Sequence, residues 1–282
     1  KVGLNYPTYF IADIAANHDG NLNKAIDLIY SCAEAGANAA KFQHFSAETI
    51  VSDRGFRNLN RKFLSHQKKW KKSVFEVYKD ASINLKWTIK LKKACKDAKI
   101  DFLSTPYSYF LADHLYKHIP AYKIGSGDVN WIEFISYVAK KKKPMLIATG
   151  ATNIIEVENL IKSIYKINKK LVLMQCNTNY TGNEKNLKYI NLNVLKTYKK
   201  KFPNLILGLS DHTFRHSSVL GAISLGARVI EKHYTLDNNQ KGPDHYFSMN
   251  PLTWREMINR SRELESCLGF DIKKVEPNEK DT

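Results

Sequence analysis

The sequence contains few cysteines and few arginines, and neither residue type forms a recognisable functional pattern. Its four cysteines are scattered without a Cys-x-x-Cys spacing, which is typical of reduced thiols in a cytoplasmic protein and argues against a disulfide framework or a zinc knuckle. The net charge is +17, but the excess is nearly all lysine. Because arginine is the usual base-reading residue and no nucleic-acid-binding module is apparent, we predict no nucleic-acid partner. We interpret the charge as a solvated surface that attracts anionic substrates.

Long hydrophobic runs are also missing. No apolar run approaches the roughly 18 to 20 residues that cross a bilayer, and no signal peptide opens the chain. We therefore expect no membrane association and a cytoplasmic location. The 282 residues, of which 43% are apolar and 25% charged, suit a globular protein with a sizeable core. This length exceeds the ~100 to 200 residues of a typical domain, but an α/β barrel of ~250 residues folds as one unit.

Eight short apolar segments recur along the chain, and each is followed by polar or turn-forming residues and then by a segment with helical periodicity. They cover residues 9–14, 37–40, 101–103, 121–124, 144–148, 171–175, 205–209 and 227–230. Repeated alternation of strand and helix predicts a parallel sheet. Eight such units favour a (β/α)8 TIM barrel over residues 1–270. The alternative is an open doubly wound sheet, which would usually carry a GxGxxG turn after its first strand, and this sequence has none.

One connection is much longer than the others, and the end of the chain differs from the rest. Residues 44–100 form an insertion between the second and third strands, polar and aromatic at first and helical at its end. A connection of this length is usually a lid or an elaborated rim at the active-site face, and surface packing of two helical turns is the simpler alternative. The periodic pattern stops after Gly269, and the charged composition of residues 271–282 predicts a linker.

Two histidines follow the last two predicted strands. Because the carboxyl ends of parallel strands emerge on one rim, His212 and His233 should lie side by side. Two adjacent imidazoles make a candidate divalent-metal site, although an isolated histidine is more often a hydrogen-bonded structural residue. The strand, helix and strand around these histidines therefore form the unit on which the functional interpretation depends.

Two lysines lie near the ends of other strands. An ammonium group in an apolar strand is costly unless it meets an anion, and Lys41 and Lys123 converging on small hydroxyl residues would form a phosphate pocket. Alternatively, either lysine extends to solvent or pairs with a carboxylate such as Asp13 or Glu231. The site would thus offer two cations for a phosphorylated, acidic substrate, two histidines for a metal, and carboxylates for a polyhydroxylated second substrate. This set fits the formation or cleavage of a carbon–carbon bond beside a Lewis acid.

Several segments resemble, in order, the motifs of the sialic acid synthase family, the phosphoenolpyruvate-dependent nonulosonate synthases. They are IADIAANHDG, GANAAKFQHF, YKIGSGD, ATG, QCNTNY, GLSDHT, VIEKHYTLD and KGPDH. The resemblance implies a barrel enzyme that condenses phosphoenolpyruvate with an open-chain N-acylated aminosugar, such as N-acetylmannosamine or a bacterial relative, to a nonulosonic acid such as N-acetylneuraminate, releasing phosphate. It also implies a divalent metal cofactor, with Mn2+ as the expected ion, and a homodimer.

The resemblance also implies roles for individual residues. Metal binding falls on His212 and His233. The other predicted catalytic residues are Asp13, Lys41, Gln43 and Lys123, and the predicted substrate-binding residues are Thr105, Tyr107, Ser126, Thr149, Thr178, Tyr180, Ser210 and Asp244. In the implied mechanism, the metal polarises the sugar aldehyde, C3 of phosphoenolpyruvate attacks it, water adds to C2, and the lysines neutralise the departing phosphate.

The chain departs from the family pattern at a few positions. Asp13 stands where the family usually has Glu, which shortens that carboxylate by one methylene group. Ala148 stands where Ser is common, and Thr178 where Asn is common. Family members commonly continue into a small antifreeze-like domain that places a partner-chain arginine over the sugar, and this chain stops before it. Either the sequence is cut short of that domain, or the sugar is recognised in another way, for which the insertion between the second and third strands is a candidate.

Two other functions are compatible with a basic barrel. The first is an ulosonate-phosphate synthase whose acceptor is a phosphorylated aldose. It would need an additional acceptor-phosphate site, and the scarcity of arginine argues against one. The second is a non-catalytic barrel that binds polyanions, for which we expect neither a metal site nor heat of phosphoenolpyruvate binding.

Overall fold

The computed structural model describes residues 1–59, 67 and 70–280, and its centre is a closed barrel of parallel strands. The strands are β1 (Tyr9–Asp13), β2 (Ala39–His44), β3 (Asp101–Pro106), β4 (Tyr122–Ile124), β5 (Met145–Ala148), β6 (Leu171–Cys176), β7 (Ile206–Asp211) and β8 (Ala227–His233). Each strand pairs with its neighbour in sequence, and β8 pairs with β1 to close the barrel. The predicted (β/α)8 fold is confirmed.

A helix follows every strand before the next one begins. The helices of the described residues are α1 (Leu22–Glu34), α2 (Ala47–Ile50), α3 (Asp53–Asn58), α4 (Val74–Ala81), α5 (Thr88–Asp97), α6 (Tyr109–Leu115), α7 (Ile132–Lys140), α8 (Ile154–Tyr165), α9 (Val194–Lys201), α10 (Ser217–Ser224) and α11 (Pro251–Leu268). Asn21 and Asn153 cap α1 and α8 through their side chains. None of these helices combines the length and the apolar character that a membrane crossing requires.

Side chains alternate between the inside of the barrel and the layer under the helices. The outward layer is the main core, in which strand residues such as Phe42 and Ile230 pack against helix residues. The inward positions are apolar at the amino end and in the middle, where Ile11, Leu103 and Val229 form a second cluster. Towards the carboxyl end the inward positions become polar. Because strand side chains alternate with a period of two, inward polar residues of several strands, among them Asp13, Lys41, Lys123 and Glu231, meet in one interior layer.

Several strands extend further into the polar sequence than their apolar runs predict. β2 and β3 continue to His44 and Pro106, and β7 and β8 continue to Asp211 and His233. The sequence-based bounds were too short because they treated a polar residue as the end of a strand. The polar residues find buried partners, inside the barrel for Lys41 with Glu231 and outside it for Asp211 with Lys232, and the backbone ladder continues through them.

The long connection between β2 and β3 contributes to the carboxyl end of the barrel. It carries α2, α3 and α4 before α5, and residues 60–66, 68 and 69 of it lie outside the described residues. Phe45 and Ala81 form a buried apolar cluster with Ala16 of the β1–α1 loop, and Ile50 and Tyr78 pack against it. This placement favours the rim interpretation over simple surface packing.

The end of the chain separates from the barrel after α11. Residues 269–280 are exposed and contain one short 3-10 helix, Pro277–Glu279. Residues 281 and 282 of the predicted linker lie outside the described residues. The division into a barrel over residues 1–270 and a linker over residues 271–282 stays a prediction.

Candidate active site

A cavity of about 320 Å³ opens at the carboxyl ends of the strands, and it brings together nearly all of the predicted site residues. Those that line it are Asp13, Lys41, Gln43, Thr105, Tyr107, Lys123, Ser126, Thr178, Tyr180, Ser210, His212, His233 and Asp244. Thr149 is buried but does not line the cavity, and its hydroxyl donates a hydrogen bond to the carbonyl of Met174 at 3.2 Å. Its predicted substrate contact stays a prediction.

The floor of the cavity contains two lysines and two carboxylates. Lys41 Nζ lies 2.7 Å from Asp13 Oδ2 and 3.9 Å from Glu231 Oε1, and Lys123 Nζ lies 3.3 Å from the same Glu231 oxygen. All four side chains are almost completely buried. Both lysines thus pair with carboxylates, which was the alternative interpretation of the sequence. Their binding of a phosphate stays a prediction, in which the substrate competes with these carboxylates.

The electrostatics of Lys41 favour its charged form despite burial. Removal from water opposes the charge, but Asp13 and Glu231 outweigh that effect and raise the pKa of the ammonium above its usual value. Thr105 Oγ1 lies 3.5 Å from Lys41 Nζ and accepts a hydrogen bond from it. Lys41 is therefore a fixed positive charge, which is what neutralisation of an anionic substrate requires.

Glu231 is a site residue that the sequence analysis considered only as a possible partner of a lysine. It accepts a hydrogen bond from Ser210 at 3.2 Å in addition to its contacts with both lysines. Its second oxygen, Oε2, is buried and has no hydrogen-bond partner among the described residues. The period-two pattern of β8, which turns Val229, Glu231 and His233 inward together, was the signal that could have identified it.

The two histidines lie side by side, with ring centroids 5.4 Å apart. His212 Nδ1 is 2.9 Å from the carbonyl oxygen of Asn177. Since a carbonyl only accepts, Nδ1 carries the hydrogen and Nε2 keeps a lone pair. Burial opposes a proton on His212, but the nearby Cys176 thiol and the Asn177 carbonyl favour it, and the net effect raises its pKa. Cys176, which the sequence analysis did not select, thus belongs to the surroundings of this site.

His233 differs from His212 in its surroundings. Burial, together with His212 and Lys41, lowers the pKa of His233 well below its usual value, so its ring is neutral near pH 7. Its Nδ1 atom is buried and lacks a hydrogen-bond partner among the described residues, while Nε2 lies 3.6 Å from Asp13 Oδ2. A neutral imidazole with an unsatisfied buried nitrogen is the form that binds a divalent metal.

The donor set fits a metal that keeps open positions. No three His, Cys, Asp or Glu side chains of the described chain are grouped closely enough to hold an ion by themselves. Two imidazole nitrogens are nevertheless available, and the neighbouring Asp13 carboxylate supplies negative charge within 3.6 Å of His233. Ligand sets in which water and substrate complete the coordination suit Lewis-acid chemistry. His212 and His233 would hold such an ion.

A buried ion pair outside the barrel holds the two histidine-bearing strands in register. Asp211 pairs with Lys232 across β7 and β8, and Lys232 Nζ lies 2.6 Å from Asp211 Oδ2. Burial opposes both charges and leaves the pKa of Lys232 lowered, whereas Lys232 outweighs burial at Asp211 and lowers the pKa of that carboxyl. Each partner immediately precedes a site histidine, so this pair fixes where both imidazoles emerge.

Two further carboxylates face the cavity with raised pKa values. Burial raises the pKa of Asp244 to about 6, even though its Oδ2 accepts a hydrogen bond from the backbone of Ala16 at 3.3 Å. Burial also raises the pKa of Asp128 to about 6, although Lys123 partly opposes the shift. Asp244 was a predicted site residue, whereas Asp128, which ends the YKIGSGD segment, was not. The signal in the sequence was its position in the Gly-Ser-Gly-Asp turn directly after the fourth strand.

Gly150, in the ATG segment, allows two strand ends to approach each other. It has a positive φ of 53°, and a Cβ atom at this position would lie 2.2 Å from the carbonyl oxygen of Ser126. Only glycine tolerates both the dihedral angle and that distance. The segment therefore positions the Ser126 backbone beside the cavity.

Comparison with known proteins identifies the family. Residues 28–273 match the family model described as the NeuB family. The chain belongs to the NeuB family. An uncharacterized protein of Methanocaldococcus jannaschii is 33% identical over 282 residues, covering 99% of this chain and 77% of that protein. N,N'-diacetyllegionaminic acid synthase of Campylobacter jejuni is 33% identical over 281 residues, covering 96% of this chain and 80% of that enzyme.

A solved structure agrees with this assignment. The N-acetylneuraminic acid (sialic acid) synthetase of Leptospira borgpetersenii, crystallised with citrate, superposes with a TM-score of 0.87 at 26% identity. The match covers 99% of this chain and 91% of that one. The NeuB barrel described above thus resembles, over its whole length, enzymes that are named as synthases of different nonulosonic acids.

Proposed function

We propose that this NeuB family protein condenses phosphoenolpyruvate with an open-chain N-acylated aminosugar and releases phosphate. The observation that carries the proposal is the convergence of Lys41, Lys123, His212 and His233 on one cavity. Buried ammonium groups suit the phosphate and carboxylate of phosphoenolpyruvate. The imidazoles suit a divalent ion, which we expect to be Mn2+ and which would supply Lewis acidity towards the sugar aldehyde.

The residues of the chain have separable tasks in this reaction. Lys41 and Lys123 exchange their carboxylate partners for the anionic groups of phosphoenolpyruvate. A new bond then joins C3 of phosphoenolpyruvate to C1 of the sugar, water adds at C2, and phosphate leaves with its bridging oxygen. Asp13 lies 2.7 Å from Lys41 Nζ and 3.3 Å from Gln43 Nε2, so it stands between the two substrates and can accept a proton or a sugar hydroxyl hydrogen bond.

The remaining predicted residues bind and orient the substrates. Thr105, Ser126, Thr178 and Ser210 offer hydroxyl groups around the lysines, and Tyr180 and Asp244 offer polar groups towards the sugar. The Tyr180 ring lies 4.3 Å from the His212 ring, centroid to centroid. Enclosure of the floor by these side chains reduces access of water, which strengthens each electrostatic contact.

A phosphate-release assay tests the proposal. The protein is incubated with phosphoenolpyruvate and a panel of acylated hexosamines and phosphorylated aldoses, with Mn2+ or with a chelator. We expect release that depends on both an unphosphorylated acylated hexosamine and the metal. Release only with a phosphorylated aldose would favour the ulosonate-phosphate reaction instead, and neither release nor heat of phosphoenolpyruvate binding would favour a non-catalytic barrel.

Histidine variants test the assignment of the metal site. His212→Ala and His233→Ala should abolish turnover without unfolding the barrel, because residues at the carboxyl rim usually contribute little to stability. His216→Ala is a matched control, because His216 does not line the cavity. Full activity of His212→Ala or His233→Ala, or of the protein treated with a chelator, would show that these histidines do not hold a catalytic metal.

A further inference from the structure

The cavity has an apolar wall as well as a charged floor. Gln67 of the β2–β3 connection contributes one polar amide to the cavity lining. The wall is formed by the other side chains of that connection, namely Phe45, Ile50, Trp70, Val77, Tyr78 and Ala81. Four of them carry no hydrogen-bonding group in their side chains. The wall is continuous with the cavity that contains the lysines and histidines, so any molecule that fills the cavity contacts both surfaces.

Ring contacts and helix geometry hold the wall together. The Tyr78 ring lies 5.4 Å from Phe45 and 6.4 Å from Trp70, and Phe45 lies 5.9 Å from Tyr107, all between ring centroids. Val77, Tyr78 and Ala81 share one face of α4, because residues three and four apart on a helix are neighbours. Ser73 and Glu76 form a capping box that fixes the start of this helix. The wall is therefore a built surface.

The position of the wall relative to the reacting groups determines what it meets. If phosphoenolpyruvate and the sugar aldehyde occupy the floor beside Lys41, Lys123 and the histidines, the wall contacts the part of the acceptor that is remote from C1. A hydroxyl or phosphate against Phe45, Ile50 and Val77 would lose water without gaining a partner. A methyl group there would gain from leaving water. Binding of such remote groups contributes to turnover.

We propose that this wall binds a methyl group of the acceptor, and that the enzyme therefore selects acceptors with a methyl group there over acceptors with a hydroxymethyl or phosphate group. This inference rests on the proposed function. Two positions of the sugar can supply the methyl group, an acylamino substituent or a deoxygenated terminal carbon. The chemistry that the wall recognises is the same in both cases.

Paired acceptors separate the two sources. The first pair is N-acetylmannosamine and its N-glycolyl analogue, which differ by one hydroxyl on the acyl methyl group. The second pair is N-acetylmannosamine and its 6-deoxy analogue. The 6-phosphate of N-acetylmannosamine is the fourth compound in the comparison. The measurement is kcat/KM for phosphate release. We expect the methyl-bearing member of at least one pair to be favoured by about 10-fold or more, and the 6-phosphate to be the poorest acceptor.

Variants link any preference to the wall. Val77→Thr keeps the branched shape of the side chain but replaces one methyl group with a hydroxyl, which makes that part of the wall polar, and it should bring the ratio within the responsive pair close to one. Val74→Thr on the same helix is the control, because Val74 is buried but does not line the cavity, and it should leave the ratio unchanged. If Val77→Thr fails to fold, Ile50→Thr makes the same test from α2.

The outcomes distinguish this inference from the proposed function. Ratios near one in both pairs, a favoured 6-phosphate, or a preference that survives Val77→Thr and Ile50→Thr would overturn the wall inference while phosphate release still supported the synthase reaction. No phosphate release with any of these acceptors would overturn the proposed function, and the wall inference with it. A preference abolished by Val77→Thr and kept by Val74→Thr supports both.

Discussion

At the scale of single residues, the floor of the cavity is a balanced set of charges. Lys41 and Lys123 are matched by Asp13 and Glu231, with Glu231 in contact with both lysines. The sequence predicted both lysines, because an ammonium in an apolar strand needs an explanation. It did not predict that one glutamate joins them, because that contact depends on barrel closure, which places β8 beside β1 and opposite β4.

Replacement of Lys123 should affect substrate binding and stability separately. In Lys123→Ala the affinity for phosphoenolpyruvate should fall by about 10²-fold, a loss in the range of charge-assisted hydrogen bonds, while acceptor affinity changes little. Stability should also fall, by about 2 kcal/mol, because the buried Glu231 carboxylate loses its nearer cation and keeps only Lys41 at 3.9 Å. Calorimetry with each ligand and thermal unfolding measure the two effects.

A double variant separates these two consequences. Adding Glu231→Gln to Lys123→Ala removes the buried carboxylate that has lost its nearer cation, so it should recover most of the lost stability and none of the phosphoenolpyruvate affinity. Recovery of affinity together with stability would show that Lys123 acts only by supporting the fold.

The raised pKa of Asp128 leads to a prediction about pH. Burial raises it from 3.8 to about 6, so the folded state binds a proton more tightly than the unfolded state. Ionisation therefore begins to cost stability above pH 4, and the full cost is present above pH 6. Asp128→Asn should stabilise the protein at pH 8 by about 2 kcal/mol, or roughly 4 °C in Tm. The gain should shrink towards pH 4.

The exposed Asp27 provides the comparison for that experiment. Asp27→Asn on α1 should leave Tm unchanged at both pH values. A Tm gain of Asp128→Asn that is the same at pH 4 and pH 8 would mean that the ionisation of Asp128 is not its cause.

At the scale of elements, the strands and their order were predictable, and so were the carboxyl ends of β4 and β5, whereas the carboxyl ends of β2, β3, β7 and β8 were not. The apolar runs located all eight strands because hydrophobic periodicity is a local signal. They ended β2 before Lys41 and β8 before Glu231, where inward polar side chains begin. What keeps those residues in strand is pairing across the lumen, and a single segment of sequence contains no sign of its partners there.

Two loops at the rim are joined by a buried histidine. His245 Nδ1 lies 2.6 Å from Thr235 Oγ1, and its Nε2 lies 3.1 Å from Asp19 Oδ1. His245 itself is fully buried. Because Asp244 precedes it and faces the cavity, the Asp19–His245 contact fixes the β8–α11 loop against the β1–α1 loop and thereby positions Asp244.

Loss of this contact should affect the acceptor more than phosphoenolpyruvate. Asp19→Ala should raise the KM for the aminosugar by roughly 10-fold or more, because small displacements of a binding group are costly, and should leave the KM for phosphoenolpyruvate nearly unchanged. The KM of Asp19→Asn for the aminosugar should lie between those of the unaltered protein and Asp19→Ala, since asparagine keeps a hydrogen-bonding oxygen. Equal increases in both KM values, or a similar effect of Asp27→Asn, would indicate a general loss of structure.

At the scale of the whole molecule, the site combines segments that are distant in sequence. The wall contains Phe45 and Tyr78 of the β2–β3 connection, and the contact between the Phe45 and Tyr107 rings extends it to the residue that follows β3. The length and aromatic content of the connection indicated a rim or a lid. Which side of the connection faces the cavity depends on closure of the barrel, so the apolar character of the wall could not be predicted from the sequence.

The distribution of charge over the molecule predicts how salt affects the reaction. The chain carries a net charge of +17, yet the lysines of the floor are balanced by carboxylates at 2.7 and 3.3 Å. Attraction of phosphoenolpyruvate from a distance must therefore come mainly from the surface lysines, whose field is screened as the Debye length falls from about 10 Å at 0.1 M salt to about 3 Å at 1 M.

We expect the KM for phosphoenolpyruvate to rise roughly 3- to 10-fold over this range, while the KM for a neutral aminosugar stays constant. Initial rates in KCl and in potassium acetate measure this, because screening depends on ionic strength and competition by a bound anion depends on its identity. A KM for phosphoenolpyruvate that ignores salt, or that responds to one anion alone, would mean that the surface charge does not attract the substrate.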